Sequence, residues 1–269
     1  MLGSIVGDIV GSIYEFANIK TKDFEFFQPE MERTDDSILC IATADWLLHG
    51  GDVSHYYSRY ALEYPYPMGG YGGMFKAWSS KVARQGIHEP YNSCGNGSAM
   101  RIAPVGWAFE TEREVLEAAK VSASCTHNHP EGIKGAQATA LCIFLARQGH
   151  TASDIRARIE RDFGYDLSMS VKELQRRYSW QGIDGKGDGG ICQDSVPQAI
   201  ICVLQAKDFE DAIRNAISIG GDSDTIGCIA GGIAEALYGI PESIKERAWK
   251  YLDETEGRTV RSFIQKYSI

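Results

Sequence analysis

The chain has 269 residues, and 43% of them are hydrophobic, which is enough to build a sizeable core. Its formal net charge of −9 argues against a general affinity for nucleic acid or anionic membranes, because both attract basic surfaces. No segment approaches the ~18 consecutive apolar residues that a membrane-spanning helix needs, so the sequence predicts no such span.

The seven cysteines are scattered along the chain and form no C-x-x-C pair, a distribution typical of a reducing compartment. We therefore expect buried free thiols and a cytoplasmic protein. The apolar N-terminal run lacks a basic flank and contains Asp8 and Glu15, so we expect no cleaved signal peptide.

Apolar residues recur at helical spacing in segment after segment, whereas alternating runs rich in Val, Ile and Thr are missing. The sequence therefore predicts an all-α fold. Because no internal repeat or domain boundary is visible, we expect a single domain over residues 1–269. Helices are predicted at 2–15, 35–49, 53–63, 74–84, 113–124, 131–148, 152–163, 196–206, 209–219, 222–238, 242–255 and 259–267.

The first predicted helix carries Gly3, Gly7 and Gly11 at a spacing of four residues, so all three lie on one face. The predicted helix 222–238 has a similar stripe of small residues around Gly227 and Gly231. An interior glycine costs a helix ~1 kcal/mol, and close packing should compensate for that cost. We expect the two helices to be neighbours.

Two short acidic motifs each begin a predicted helix. Thr34-Asp35-Asp36 alone is typical of an N-cap followed by acids in the first helical turn. The second motif, Asp222-Ser223-Asp224-Thr225, follows a glycine pair that permits sharp backbone geometry. Together the motifs offer four carboxylates and two threonine hydroxyls, which is more than helix capping requires.

Such hard oxygen donors suit Mg²⁺ or Mn²⁺ far better than zinc. One ion of this kind needs only one or two carboxylates, whereas the combined set matches two ions ~3.5 to 4 Å apart. The sequence thus predicts a two-metal site, on the condition that the two motifs meet in space.

Three further motifs have a structural and a functional interpretation, and the residues alone favour the structural one. The strip formed by Ser4, Asp8, Ser12 and Glu15 is typical of a solvated helix face that ends in a surface glutamate. The loop 92–98 suits phosphate binding through glycine N–H groups, but it also suits a plain turn. His127 is more typical of a packing or ligand-contacting residue than of a zinc ligand.

The segment 182–190 contains five glycines in nine residues and should be mobile. A surface connection and a lid over a binding site are both compatible with it.

Taken in chain order, five motifs resemble the ADP-ribosylglycohydrolase family, and they span nearly the whole chain. The motifs are Gly7-Asp8-x-x-Gly11-x-x-x-Glu15, Thr34-Asp35-Asp36-Ser37, Gly95-Asn96-Gly97-Ser98-Ala99-Met100-Arg101, Thr126-His127 and Gly221-Asp222-Ser223-Asp224-Thr225.

The resemblance implies a compact, all-α orthogonal bundle whose binuclear Mg²⁺ or Mn²⁺ centre hydrolyses the bond between ADP-ribose and its acceptor. It also implies that Glu15 lies near the scissile bond and that His127 approaches the distal ribose, which reverses the structural interpretations above. The implied diphosphate-lining residues are Asn96, Gly97 and Ser98. The implied metal ligands are Thr34, Asp35, Asp36, Asp222, Asp224 and Thr225.

Two features depart from the family pattern. Ser223 stands where the family often has threonine, which should leave the flanking ligands intact. The chain is also short for the family, so the resemblance implies that acceptor-selecting loops are missing or replaced by the segment 182–190.

Cleavage at the anomeric carbon builds positive charge on the ribose, so it needs negative groups beside that carbon and an activated water. We expect Asp36 or Asp222 to orient the water and Glu15 to assist at the leaving group. The expected substrate is an ADP-ribosylated protein side chain or a small ADP-ribose conjugate, and ADP-ribosylated nucleic acid stays open. Two rival functions are a metal-dependent phosphohydrolase of nucleotide diphosphates and an immunity-type protein that binds ADP-ribose without turnover.

Overall fold

The structure, a computed structural model, describes residues 1–269 and confirms the all-α prediction. Its only sheet is an antiparallel hairpin of β1 (Tyr178–Ser179) and β2 (Gly182–Ile183). Two 3₁₀ segments, Ser12–Tyr14 and Trp249–Tyr251, accompany the α-helices. The helices are α1 (Leu2–Gly11), α2 (Asp35–His49), α3 (Val53–Glu63), α4 (Gly73–Gln85), α5 (Gly97–Met100), α6 (Ala103–Ala108), α7 (Glu112–Ser124), α8 (Pro130–Arg147), α9 (Ala152–Phe163), α10 (Val171–Arg177), α11 (Cys192–Leu204), α12 (Phe209–Ser218), α13 (Ser223–Tyr238), α14 (Glu242–Ala248) and α15 (Glu254–Tyr267).

Most of the predicted helices are present within a few residues, and the differences have local causes. α11 begins four residues before the predicted start and contains Pro197 in its interior. The predicted helix 242–255 is interrupted, because α14 ends at Ala248 and α15 begins only after the N-cap Asp253, which forms a capping box with Glu256. The short helices α6 and α10 were not predicted, since six or seven residues carry too little periodicity, whereas α5 lies where the residues after the loop 92–98 indicate the start of a helical stretch.

α1 and α13 pack with their backbones in direct contact, as the glycine stripes predict. A Cβ atom on Gly7 would lie 1.8 Å from the carbonyl oxygen of Gly227, and one on Gly3 would lie 2.2 Å from that of Gly231. Any side chain at these positions would force the helices apart. A Cβ atom on Gly11 would lie 2.5 Å from the Cα atom of Asp224, so the end of α1 touches the start of the second acidic motif.

The apolar core is one cluster of 71 buried residues that includes both Met1 and Phe263. α1 runs through this core, and all ten of its residues are buried. The prediction of a solvated strip is therefore wrong for Ser4 and Asp8, and also for Ser12, which is 3% exposed.

All seven cysteines are free, five of them buried and the other two, Cys94 and Cys125, half-buried. None of the helices is long and apolar enough to cross a bilayer.

Candidate active site

Carboxylates from separate parts of the chain gather where α1 meets the start of α13. Asp8, Asp36 and Asp224 each place a carboxylate oxygen within 4.8 Å of the others. Glu15 and Asp222 form a second group of the same size with Asp224. Because Asp36 of the first acidic motif and Asp224 of the second belong to the same group, the structure brings the two motifs together, as the metal hypothesis requires.

Asp8, which was assigned to a solvated face, is completely buried and organises this cluster. Its carboxylate accepts hydrogen bonds from the backbone N–H of Thr34 (3.0 Å), the Thr34 hydroxyl (2.6 Å), the backbone N–H of Ser37 (3.0 Å) and the Ser37 hydroxyl. These bonds attach the start of α2 to α1. Burial raises the pKa of Asp8 to about 6, although the same hydrogen bonds oppose the shift. The single signal for this role was an acid between two serines on an otherwise apolar helix.

Thr34 has the capping role that its sequence context favours. Its hydroxyl oxygen accepts a hydrogen bond from the backbone N–H of Asp36 (3.2 Å). Thr34 is completely buried beneath the cleft and does not line it, whereas Asp35, Asp36 and Thr225 do. The Thr34 hydroxyl lies 2.6 Å from Oδ1 of Asp8 and 3.2 Å from Oδ2 of Asp36, and its role as a metal ligand stays a prediction.

Two oxygen atoms of the carboxylate cluster are buried without a hydrogen-bond partner. They are the Oδ1 atoms of Asp36 and Asp224. Burial, followed by repulsion from neighbouring carboxylates, holds the pKa of Asp35, Asp36 and Asp224 well above the usual aspartate range. Divalent cations would supply the missing partners, and the all-oxygen donor set suits Mg²⁺ or Mn²⁺. The residues present therefore fit a two-metal centre.

Glu15 lies half-buried at the edge of the cleft, just after the 3₁₀ segment that extends α1. Burial, with a smaller contribution from the charges of Asp222 and Asp8, raises the pKa of Glu15 to about 7. A carboxyl group with this pKa can hold or release a proton near neutral pH. Its Oε2 atom lies 2.7 Å from the point where a Cβ on Gly69 would stand, and Gly69 has a φ of +75°, so a side chain there would strain the backbone and displace the Glu15 carboxylate.

The chain around Glu15 is tied to the other side of the cleft by residues that sequence reasoning missed. Trp180, in the β1–β2 turn, donates its indole N–H to the carbonyl of Glu15 (2.9 Å). Asn18 donates to the carbonyl of Gly221 (2.9 Å) and accepts from its N–H (2.7 Å). Glu15 is thereby attached to both the hairpin and the second acidic motif. A lone tryptophan and a lone asparagine give no sequence signal for such a role.

The loop 92–98 contacts the acidic cluster through Asn96. The Asn96 side chain donates to Oδ2 of Asp222 (2.7 Å), and its backbone N–H donates to the carbonyl of Gly190 (3.0 Å). Gly97 lines the cleft, but Ser98 does not. The Ser98 hydroxyl is fully buried and donates instead to the carbonyl of Gly132 (2.7 Å). Its predicted contact with substrate stays a prediction.

His127 lines the cleft and is held by a buried polar chain. Its Nδ1 atom lies 2.7 Å from the hydroxyl of Thr126, which accepts a hydrogen bond from Arg101 (2.8 Å). Burial, and then the charge of Arg101, keep the pKa of His127 well below its usual value, so the ring is neutral. The Nε2 atom of the ring lies 3.2 Å from the place of a Cβ on Gly97, so His127 and Gly97 are neighbours in the cleft.

Arg101 also lines the cleft, although sequence reasoning gave it no role. It is completely buried, and its guanidinium carbon lies 4.0 Å from the centre of the Tyr57 ring. Its Nε and Nη1 atoms have no hydrogen-bond partner. A ligand that reaches these atoms would have to offer acceptor oxygens.

The cleft has a volume of about 590 Å³, within the range of sites for nucleotide-sized molecules. Carboxylates form one part of its wall, and aromatic rings form another. The aromatic lining residues are Tyr71, Phe75, Tyr91 and Trp180.

The whole chain has counterparts among known proteins. A model of the ADP-ribosylglycohydrolase family matches residues 1–267. Human ADP-ribosylhydrolase ARH3 is 30% identical over 95% of this chain and 89% of its own length. The ADP-ribosylarginine hydrolase Tri1 of Pseudomonas putida is 27% identical over 93% of this chain and 73% of its own length.

A solved structure described as an ADP-ribosylglycohydrolase-related protein complex superposes on this one with a TM-score of 0.69 at 25% identity. The superposition covers 98% of this chain and 95% of that chain. Sequence and structure thus agree over nearly the full length, and the chain belongs to the ADP-ribosylglycohydrolase family of ADP-ribosyl hydrolases.

Proposed function

We propose that this protein uses two divalent cations, Mg²⁺ or Mn²⁺, to hydrolyse the glycosidic bond between ADP-ribose and a protein side chain, releasing ADP-ribose. The observation that carries the proposal is that two sets of three carboxylates lie in a cleft of nucleotide size and share Asp224. Within each set, the carboxylate oxygens lie within 4.8 Å of one another. The unpartnered Oδ1 atoms of Asp36 and Asp224 support the cation requirement.

We assign the cations to the oxygen atoms of Asp35, Asp36, Asp222, Asp224 and Thr225, with Thr34 and Asp8 supporting them from below. Bound cations would supply positive charge for ribose hydroxyls and lower the pKa of a water molecule. Asp36 or Asp222 would orient that water towards the anomeric carbon. Asn96 restricts Asp222 to one orientation through its 2.7 Å hydrogen bond.

Glu15 holds the proton that the leaving group needs when the bond to the acceptor breaks. Its pKa of about 7 lets it act as an acid near neutral pH, as a raised carboxyl does in other glycosidases. The neutral ring of His127 presents an N–H donor to a ribose oxygen, and Gly97 leaves room for a phosphate beside it.

A protein side chain is the proposed acceptor, because one relative is by name an ADP-ribosylarginine hydrolase and the cleft is open to solvent at Glu15. The test offers the protein arginine-linked, serine-linked and nucleic-acid-linked ADP-ribose, each with Mg²⁺, Mn²⁺ or EDTA. Products are identified by mass spectrometry.

Release of intact ADP-ribose that requires Mg²⁺ or Mn²⁺ supports the proposal, and the best substrate identifies the acceptor. Release of AMP would indicate the phosphohydrolase instead. Tight binding of ADP-ribose without any product would indicate the non-catalytic binding protein.

A further inference from the structure

A second cavity, of about 430 Å³, lies outside the catalytic cleft and shares no lining residue with it. It is lined by α8, by the segment 164–169 between α9 and α10, by α11 and by Ile183 of β2, and it is open to solvent on one side. We infer that this cavity binds a small organic cation that carries a guanidinium or primary ammonium group. The inference does not depend on the proposed catalytic function.

Four side chains that line this second cavity have buried polar atoms without a hydrogen-bond partner. One is Oε2 of Glu131, which lies 3.4 Å from the Lys134 ammonium, and the other three have no charged partner. These three are the hydroxyl of Tyr165 and the Oε1 atoms of Gln193 and Gln198. Tyr165 is 6% exposed and Gln198 is 3% exposed, so bulk water does not compensate them. Buried polar groups are rarely left unpaired in proteins, and four such groups beside one cavity indicate a polar occupant.

The charge of the second cavity favours a cation. Its lining contains three carboxylates, of Glu131, Asp166 and Asp194, against the single ammonium of Lys134. Asp166 and Asp194 each use one oxygen to accept a backbone N–H, which leaves the other oxygen for a ligand. An amide group can turn its oxygen inwards, so the glutamines can also accept hydrogen bonds from a ligand.

The aromatic ring of Tyr165, which lines this cavity, also favours a cation. Lys134 already places its ammonium 4.5 Å from the centre of the Tyr165 ring and 3.4 Å from the Glu131 carboxylate. A charged nitrogen is thus accommodated beside this ring, as in other cation–π sites. Guanidinium and ammonium groups match this combination of ring, carboxylates and amide oxygens.

The experiment is isothermal titration of the full-length protein with agmatine and with putrescine, and succinate and urea serve as anionic and neutral comparators. We expect at least one of the two cations, agmatine or putrescine, to bind with a stoichiometry of one molecule per chain. Succinate and urea should not bind. Gln198→Met and Asp166→Asn should each weaken binding by about tenfold or more. Gln148→Met, on the exposed end of α8, should bind like the wild type.

Lys134→Met decides the sign of the charge, because the lysine competes with a bound cation but would attract an anion. We expect this variant to bind the cation several-fold more tightly. Loss of binding in Lys134→Met would overturn the inference, as would absence of binding by both cations. Unchanged binding in Gln198→Met and Asp166→Asn would place the cation elsewhere and overturn it as well. Asp166 is exposed, so its variant remains informative if Gln198→Met unfolds.

Discussion

The floor and the rim of the catalytic cleft are built in opposite ways. The floor consists of α1 and the starts of α2 and α13, where glycine contacts and buried hydrogen bonds to Asp8 leave no freedom. The rim consists of Glu15, the glycine-rich segment 69–72 and the turn at Trp180, none of which lies within a long helix. The proposed metal ligands thus lie at the starts of packed helices, and the proposed contacts with the acceptor lie on short connections.

Asp36→Asn, which changes the charge of the cleft floor, should have the largest effect on activity. The substitution keeps the shape but removes a negative charge next to Asp224, so we expect activity to fall about 1,000-fold and Mg²⁺ or Mn²⁺ to bind more weakly. Turnover assays and metal titration measure both. Asp154→Asn is the control, because Asp154 also lies in the first turn of its helix but is far from the cleft. Equal metal affinity in both variants would contradict the metal assignment.

Glu15→Gln changes the rim alone, so it should lower kcat without affecting the structure of the floor. We expect kcat to fall about 100-fold, because the amide cannot donate the proton to the leaving group. Binding of ADP-ribose, measured by titration, should stay within about twofold of the wild type. A fully active variant would remove Glu15 from the mechanism.

Gly7→Ala should separate the two helices of the floor. The added Cβ would overlap the carbonyl of Gly227, so we expect the free energy of unfolding to fall by about 3 kcal/mol, together with metal affinity. Gly257→Ala is the matched control, since its Cβ would meet only the movable end of the Arg261 side chain. We expect this control to be neutral or slightly stabilising in denaturant unfolding, because alanine favours helix. Equal stability of the two variants would contradict the close packing of α1 on α13.

The pH dependence of stability should distinguish a metal-free floor from an occupied one. Asp8 has a pKa of about 6 and Glu15 of about 7 in the folded protein, so the folded state binds more protons than the unfolded state from about pH 4 upwards. This stabilisation is complete below pH ~4 and is lost as the pH rises through 6 to 7. In EDTA we therefore expect the melting temperature to be about 5 °C lower at pH 8 than at pH 5.

With saturating Mg²⁺ or Mn²⁺ this pH dependence should shrink, because bound cations stabilise the ionised carboxylates. In EDTA the pH dependence of the melting temperature should also be smaller for Asp36→Asn than for the wild type, because the variant lacks one carboxyl group with a raised pKa. The same melting temperature at both pH values in EDTA would show that burial does not raise the pKa of Asp8 and Glu15 in the folded protein.

Trp180→Phe should give the smallest effect, confined to the rim. It removes the 2.9 Å hydrogen bond to the carbonyl of Glu15 but keeps an aromatic ring, so we expect kcat to fall about fivefold with little change in melting temperature. Trp107→Phe is the control, because the indole N–H of Trp107 has no partner to lose. A comparable loss of kcat in both variants would mean that Trp180 does not position Glu15.

Periodicity and glycine spacing were sufficient to predict the long helices and the pairing of α1 with α13. They were sufficient because both depend on which side chains share a helix face, and this is a local property of the chain. The predicted start of helix 196–206 and the predicted end of helix 242–255 were wrong by several residues, because α11 begins at Cys192 and α14 ends at Ala248. Short-range signals at these ends compete with packing. The single domain, the metal ions and the substrate contacts of Ser98 stay predictions.

The role of Asp8 was decided only in three dimensions. A strip of Ser4, Asp8 and Ser12 looks the same in sequence whether water or another helix covers it, and here α2 supplies the hydrogen-bond donors that make burial possible. The rim shows the same limit, because Trp180 and Asn18 reach Glu15 and Gly221 from distant positions through contacts that no local pattern encodes. The residues thus predicted which oxygen atoms are available, and the packing of α1, α2 and α13 brought them together.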